Sequence, residues 1–267
     1  MKIYISADIE GITGTTDWNE VTKGDDDYTD FRQQMTNEVC AACEGAFEAG
    51  ATQILIKDAH STARNLIASQ LPKKVKLVRG WSRHPYMMMQ EINKSFDAAF
   101  MIGYHSAAGA GGNPLAHTIS SANVADIEIN GHPLVSEFFL NTYTAALEQV
   151  PVVFLSGDKG ICNEAKKLLP EITTVSVKEG FGGSTINIHP DNAIQKIREK
   201  SKKALKKPFA PFQFELPEYF TVKITFFDIK NAYKASFYPG SKLISPKTVL
   251  FETENYFDVL RMLMFTL

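Results

Sequence analysis

Apolar positions change their period along this chain. Residues 2–8 are a short run of β-forming side chains that ends in acid at Asp8. From Met35 through Val39, Ala42, Cys43, Ala46 and Phe47 the spacing turns helical, with Thr29 and Asp30 available as caps and Gly50 as the stop. Further strands are predicted at 53–57, 75–78, 98–104, 150–155 and 173–177, and a helix over 134–149. The run 98–104 (AAFMIGY) is apolar enough for a strand covered on both faces. Strands alternating with helices predict an α/β fold, a mainly parallel sheet covered by helices. After Pro211 the period falls to two in places between Phe212 and Phe227, as in 222–226 (VKITF). A turn at 238–241 (YPGS), a strand at 248–251 and an apolar helix at 256–265 complete the chain. The division expected is an α/β domain over 1–207 and a smaller α+β C-terminal domain over 208–267.

Composition narrows the class. The chain has 267 residues, 44% hydrophobic and 22% charged, enough to bury a core without crosslinks. A net charge of −2 makes no electrostatic case for nucleic acid. The densest basic run, with Lys202, Lys203, Lys206 and Lys207, reads as a solvated helix end and linker. No apolar run approaches the ~18 residues of a membrane span, and charge returns too early for a signal peptide. Three cysteines argue against a disulfide framework. A cytoplasmic protein is expected.

The chemistry is read from position. In open parallel sheets, ligands sit beyond the carboxyl ends of the strands. The predicted strands run into Asp8-Ile9-Glu10-Gly11, Asp58-Ala59-His60-Ser61, Gly103-Tyr104-His105-Ser106 and Ser156-Gly157-Asp158. Residues two apart in extended chain point the same way, so Asp8 and Glu10 can face one cavity, as can Asp58 and His60. Mixed carboxylate and imidazole donors suit zinc, and also manganese, cobalt or iron. Each element alone has a plain alternative: a solvated loop for Asp8 and Glu10, a helix cap for Asp58, a hydrogen-bonded structural histidine for His105. Their conjunction at one sheet edge points to a metal site. His117 follows Gly109, Gly111, Gly112 and Pro114, the pattern either of a mobile loop carrying a catalytic group or of a surface histidine.

Competing motifs are incomplete. Residues 109–112 (GAGG) match no dinucleotide fingerprint, and no Walker A lysine follows a glycine run. Cys40 and Cys43 lie within a helical pattern and read as packing. His84, His132 and His189 each precede a proline and read as structural.

With these residues in view, the chain resembles a known family. Ser6-Ala7-Asp8-Ile9-Glu10-Gly11 matches the S-x-D-x-E-G opening of the DppA-type D-aminopeptidases, which are binuclear zinc metallopeptidases. Asp58-Ala59-His60-Ser61, Gly103-Tyr104-His105, His117, and Asn130-Gly131-His132-Pro133 with Glu137 and Asn141 resemble further family segments, in order. Val177-Lys178-Glu179-Gly180 and Tyr238-Pro239-Gly240 are similar to later ones. The resemblance implies two zinc ions per chain. Asp8 would bridge them, Glu10 and His60 would complete one site, and His105 and Glu137 the other. His117 would be catalytic, as nucleophile or general base. The implied activity is release of the N-terminal residue from short peptides, D-alanine peptides in particular. The implied assembly is a self-compartmentalising homodecamer. Ser136, His132, Gly183 and the Phe138-Phe139 pair depart from the family pattern and bear on substrate preference. A metal-dependent hydrolase of another class (a cell-wall amidase or a phosphoesterase) and a non-catalytic peptide-binding protein are the competing functions.

Overall fold

The computed structural model describes residues 1–209 and 214–267. Pro211 and Phe212, where the sequence reading puts the change of period, lie outside the described residues. The first half of the chain forms β1 (Lys2–Ala7), α1 (Tyr28–Glu48), β2 (Gln53–Asp58), β3 (Val75–Val78), β4 (Ala98–Tyr104), β5 (Val124–Ile129) and α2 (Glu137–Leu147). The second half forms β6 (Val152–Asp158), α3 (Lys159–Leu168), β7 (Thr173–Phe181), β8 (Ser184–Asn187), α4 (Pro190–Ala204), β9 (Phe220–Phe226), α5 (Ile229–Ala235), β10 (Lys242–Ser245), β11 (Thr248–Thr253) and α6 (Tyr256–Thr266).

A seven-stranded sheet in the order β3-β2-β1-β4-β6-β7-β8 is parallel except at its β8 edge, as the alternation of elements predicts. β1 is an inner strand between β2 and β4, with Tyr4 level with Leu55 on one side and Ala99 on the other. Ile3, Tyr4 and Ile5 are all fully buried, as in a strand covered on both faces. One face is covered by α1, with α4 lying across it. A Cβ at Gly45 would strike the Arg198 carbonyl, so the glycine permits this close crossing. The other face is covered by α2, α3 and the segment carrying Met88, Met89 and Ile92.

A second, antiparallel sheet has the order β10-β11-β9-β5. β9 alternates cleanly, with Phe220, Val222, Ile224 and Phe226 inward. Its neighbour β5 comes from the middle of the chain, so this layer is built from two separated stretches. The sequence reading assigned no strand at 124–129. A register shift between Val124 and Asp126 explains why: it breaks the period-two signal, leaving Val124, Ile127 and Ile129 inward. Between the two sheets runs α2, buried from Glu137 to Ala145. Phe138 joins the core of the large sheet, whereas Phe139, Leu140 and Tyr143 join that of the small one.

Candidate metal centre and cavity

The carboxyl ends of β1, β2 and β4 lie side by side. Beyond β1 the chain stays beside β4, with Asp8 N donating to the Ile102 carbonyl and Gly11 N to the Gly103 carbonyl, each at 2.8 Å. Two glycines allow it. A Cβ on Gly11 would strike the Tyr104 carbonyl, and Gly103, at φ +73°, faces the Asp8 carbonyl. Glu137 is the first residue of α2, whose cap is Ser136 Oγ, accepting from Phe139 N at 3.1 Å. A carboxylate is favoured there by the free N–H groups of the helix end.

All six residues singled out from the sequence converge. Asp8 lies between two imidazoles, with Oδ1 3.3 Å from His60 Nδ1 and Oδ2 3.5 Å from His105 Nε2. Glu10 Oε2 is 2.9 Å from His60 Nδ1, and Glu137 Oε2 is 3.3 Å from His105 Nε2. His117 Nε2 is 3.6 Å from Glu137 Oε1, and its ring stacks on His105 at 4.3 Å between centroids. Asp8, Glu10, His60, His105 and Glu137 are buried.

Each imidazole is oriented by the backbone. His60 Nε2 meets the Val21 carbonyl at 2.7 Å, His105 Nδ1 the Ser106 carbonyl at 2.9 Å, and His117 Nδ1 the Leu115 carbonyl at 2.9 Å. A carbonyl only accepts, so the facing nitrogen carries the hydrogen. The other nitrogen of each ring then turns a lone pair into the cluster, the arrangement typical of metal-ligating histidine. Glu10 Oε2 and His105 Nε2 are buried and make no hydrogen bond of normal geometry. Orphaned buried donors and acceptors of this kind need an explanation. Carboxylate oxygens and imidazole nitrogens converging within 4.8 Å of one another fit a metal ion.

The electrostatics agree. Burial opposes charge on His60, but the neighbouring Glu10 and Asp8 carboxylates hold the ring well above its ordinary pKa. His105 behaves likewise, with Glu137 and Asp8 overcoming burial. Burial would raise Asp8, yet the adjoining His105 and His60 imidazoles hold it well below the usual range. The cluster therefore demands positive charge, which protons or metal cations can supply.

Several residues hold this arrangement without facing it. Asp58 does not touch the His60 ring. It accepts from Asn65 N, Asn65 Nδ2 and Leu66 N, and Asn65 in turn donates to the His60 carbonyl at 2.7 Å. Its hold on His60 is thus indirect, and no helix follows for it to cap. Asp158 caps α3 through Ile161 N and accepts from Ser106 N and Oγ. Asn113 bridges Asp158 and the Glu10 carbonyl, at 3.0 Å each. The glycine-rich stretch before His117, read from sequence as a mobile loop, is thereby fastened into the fold. Gly180 N secures it again at the Gly112 carbonyl, at 2.9 Å. Sequence reading missed Asn113. It also left Lys178 without a role, although the residue lies in a recognised segment. Its buried Nζ donates to the Glu10 carbonyl at 2.5 Å and to Thr15 O and Oγ1 at 2.6 Å. Its place in that segment, just past a predicted strand, is the sequence signal it offered.

Asp8, His60 and Glu137 line a cavity of about 270 Å³, together with Trp81, Arg83, Met87, Ile119 and Met264. Ile119 has φ +62°, a costly conformation for a β-branched residue. It directs its N–H to Glu137 Oε1 at 2.7 Å.

A parallel α/β sheet whose carboxyl edge gathers three carboxylates and three imidazoles beside a cavity is the frame of a metal-dependent enzyme. Comparison with known proteins makes this specific. The D-aminopeptidase family model matches residues 1–265, and the chain belongs to that family. It is 31% identical over 265 residues to a D-aminopeptidase of Bacillus subtilis (strain 168), across 97% of this chain and 93% of that protein. Among solved structures, the Zn-dependent D-aminopeptidase DppA from Bacillus subtilis, a self-compartmentalizing protease, aligns with a TM-score of 0.90 at 29% identity, over 100% of this chain and 96% of that one.

Proposed function

We propose that this chain is a zinc-dependent aminopeptidase that removes an N-terminal D-amino acid from short peptides, using two zinc ions per chain. The observation that carries the reading is the placement of Asp8, one carboxylate oxygen towards His60 and the other towards His105. Asp8 would hold both ions, with Glu10 and His60 completing one site and His105 and Glu137 the other. Zinc supplies Lewis acidity to a scissile carbonyl and lowers the pKa of a water towards ~7. The remaining chemistry belongs to the chain. His117 Nδ1 is committed to the Leu115 carbonyl, so Nε2 is the atom that takes a proton or attacks. A free substrate amino group held beside the ions would restrict cleavage to the first peptide bond.

The same reading includes a homodecamer working in the cytoplasm. Support comes from likeness to a self-compartmentalizing protease along the whole chain, and from exposed apolar side chains at Ile229, Tyr233 and Phe237. No helix among the described residues is long and apolar enough to cross a membrane.

Metal content by plasma mass spectrometry, with hydrolysis of a D-alanyl dipeptide assayed on the same samples, tests the reading. The expected result is about two zinc per chain in the wild type, with metal and turnover both lost in Asp8→Ala. Wild-type protein that takes up no zinc would remove the basis of the proposal.

A further inference from the structure

The cavity has the candidate metal ligands at one end and a basic residue at the other. Asp8 and Glu137, 2% and 3% exposed, lie deep. Arg83 is exposed and so stands at the mouth, and no other lysine or arginine lines the cavity. Arg83 makes no hydrogen bond and has no carboxylate partner among the described residues.

The segment presenting Arg83 is held in place. Lys57 Nζ, on β2, donates to the Gly80 carbonyl at 2.6 Å and sits 4.0 Å above the Trp81 ring. Trp81 Nε1 donates to the Ser61 carbonyl, next to His60, at 2.6 Å. On the far side, Ser82 N donates to the buried Gln90 at 3.2 Å. Between these anchors Arg83 itself adopts φ +66°, a left-handed conformation uncommon outside glycine, asparagine and aspartate. Strain held by surrounding structure concentrates at ligand clamps. Between the two ends, Met87, Met88, Ile119, Leu263 and Met264 supply apolar wall, interrupted by the polar Ser61 and His84.

A short peptide whose first peptide bond lies at the metal ligands presents its free carboxylate further along the same cavity. We infer that Arg83 binds the free C-terminal carboxylate of the substrate. The substrate class is then the dipeptide, or a peptide scarcely longer, with a free carboxyl terminus and an apolar side chain after the scissile bond. The cavity's 270 Å³ is below the ~300–1,000 Å³ of sites for drug-sized ligands, in keeping with so small a substrate. A guanidinium fork suits the task because it meets a carboxylate through two parallel hydrogen bonds. The inference rests on the aminopeptidase reading above.

The test compares D-alanyl-D-alanine with its C-terminal amide on the zinc-loaded full chain. Wild type is expected to favour the acid in kcat/KM by roughly ten- to hundredfold, the range for a hydrogen bond to a charged group. Arg83→Gln should abolish that advantage, with the loss in KM because the carboxylate is held equally before and during reaction. Arg83→Lys should keep part of it. Calorimetric titration with the non-hydrolysable reduced dipeptide and its amide should give the same ratios. Equal treatment of acid and amide by wild type, or a ratio that Arg83→Gln does not move, overturns the role of Arg83 and leaves the aminopeptidase reading intact. Hydrolysis of neither compound by zinc-loaded wild type overturns both.

Discussion

At the scale of single residues, the site turns on which nitrogen of each histidine is free. His105 and His117 are stacked, and both donate through Nδ1 to a backbone carbonyl, yet they differ in surroundings. His105 Nε2 is buried between the carboxylates of Asp8 and Glu137, whereas the His117 side chain is 12% exposed and meets one carboxylate, that of Glu137. That asymmetry suits His105 to holding a metal and His117 to moving a proton. His117→Ala should therefore keep the zinc content of wild type while kcat falls by roughly 10²- to 10⁴-fold, the usual contribution of a general acid or base. A variant with full turnover would end that assignment. The strand-end positions of Asp8, Glu10, His60 and His105 were legible in the sequence because short apolar runs break directly into them. Glu137 and His117 were not legible in that way. An acid opening a helix is also an ordinary cap, and a histidine after glycines is also an ordinary surface residue, so both rested on the resemblance. The indirect role of Asp58, through Asn65, could not be read from spacing, because it depends on how residues 58–66 curl back on themselves.

At the scale of elements, hydrophobic period recovered the parallel strands, because burial on both faces leaves an uninterrupted signal, and it recovered α1, α2 and α6, but it assigned no helix at α3 and only the end of α4. It failed where two rules compete. β5 carries a bulge, and the exposed edge strand β10 has no buried face to impose alternation. The junction of α2 and α3 also holds a feature that no period reveals. Ser136, capping the helix that presents Glu137, donates from its Oγ to Glu164 Oε1 at 2.5 Å. Burial pushes the Glu164 carboxyl up from the usual 4.5 to about 7; Asp158 adds to this, while the Ser136 hydrogen bond and Lys167 oppose it. Between those two pH values the unfolded chain has released a proton that the folded chain still holds. Stability therefore falls as pH rises through that window, and the cost is complete above it. Glu164→Gln keeps an acceptor for Ser136 and removes the ionisation. It should raise stability by about 1–2 kcal/mol at pH 8, with the gain fading towards pH 5. Thermal melts of variant and wild type across that range check it, and a gain independent of pH would show that ionisation of Glu164 is not the cause.

At the scale of the whole molecule, two features could each limit the enzyme to small substrates. One is the cavity of about 270 Å³ within a single chain. The other is enclosure of the active sites by assembly, as proposed for this chain. They make different demands on the surface. Enclosure requires subunits to bury apolar area against one another, and α5 with its following turn offers Ile229, Tyr233 and Phe237, which are 58%, 60% and 70% exposed. Ile229 and Tyr233 share a face of the helix, and the Phe237 ring packs edge-on against Tyr233 at 5.0 Å, extending it. Sedimentation of the wild type is expected to give a particle ten times the 29.7 kDa chain. A charge in the middle of an apolar contact is strongly unfavourable, so Phe237→Glu should shift that particle towards smaller species if this face is buried on assembly. The proposed metal cluster and its cavity lie within one chain, so the dissociated variant should still bind zinc and cleave a D-alanyl dipeptide. Loss of assembly with retained dipeptide cleavage would place selection of the dipeptide in the single-chain cavity. A wild type that sediments as a single chain would overturn the decamer and leave the cavity as the sole filter.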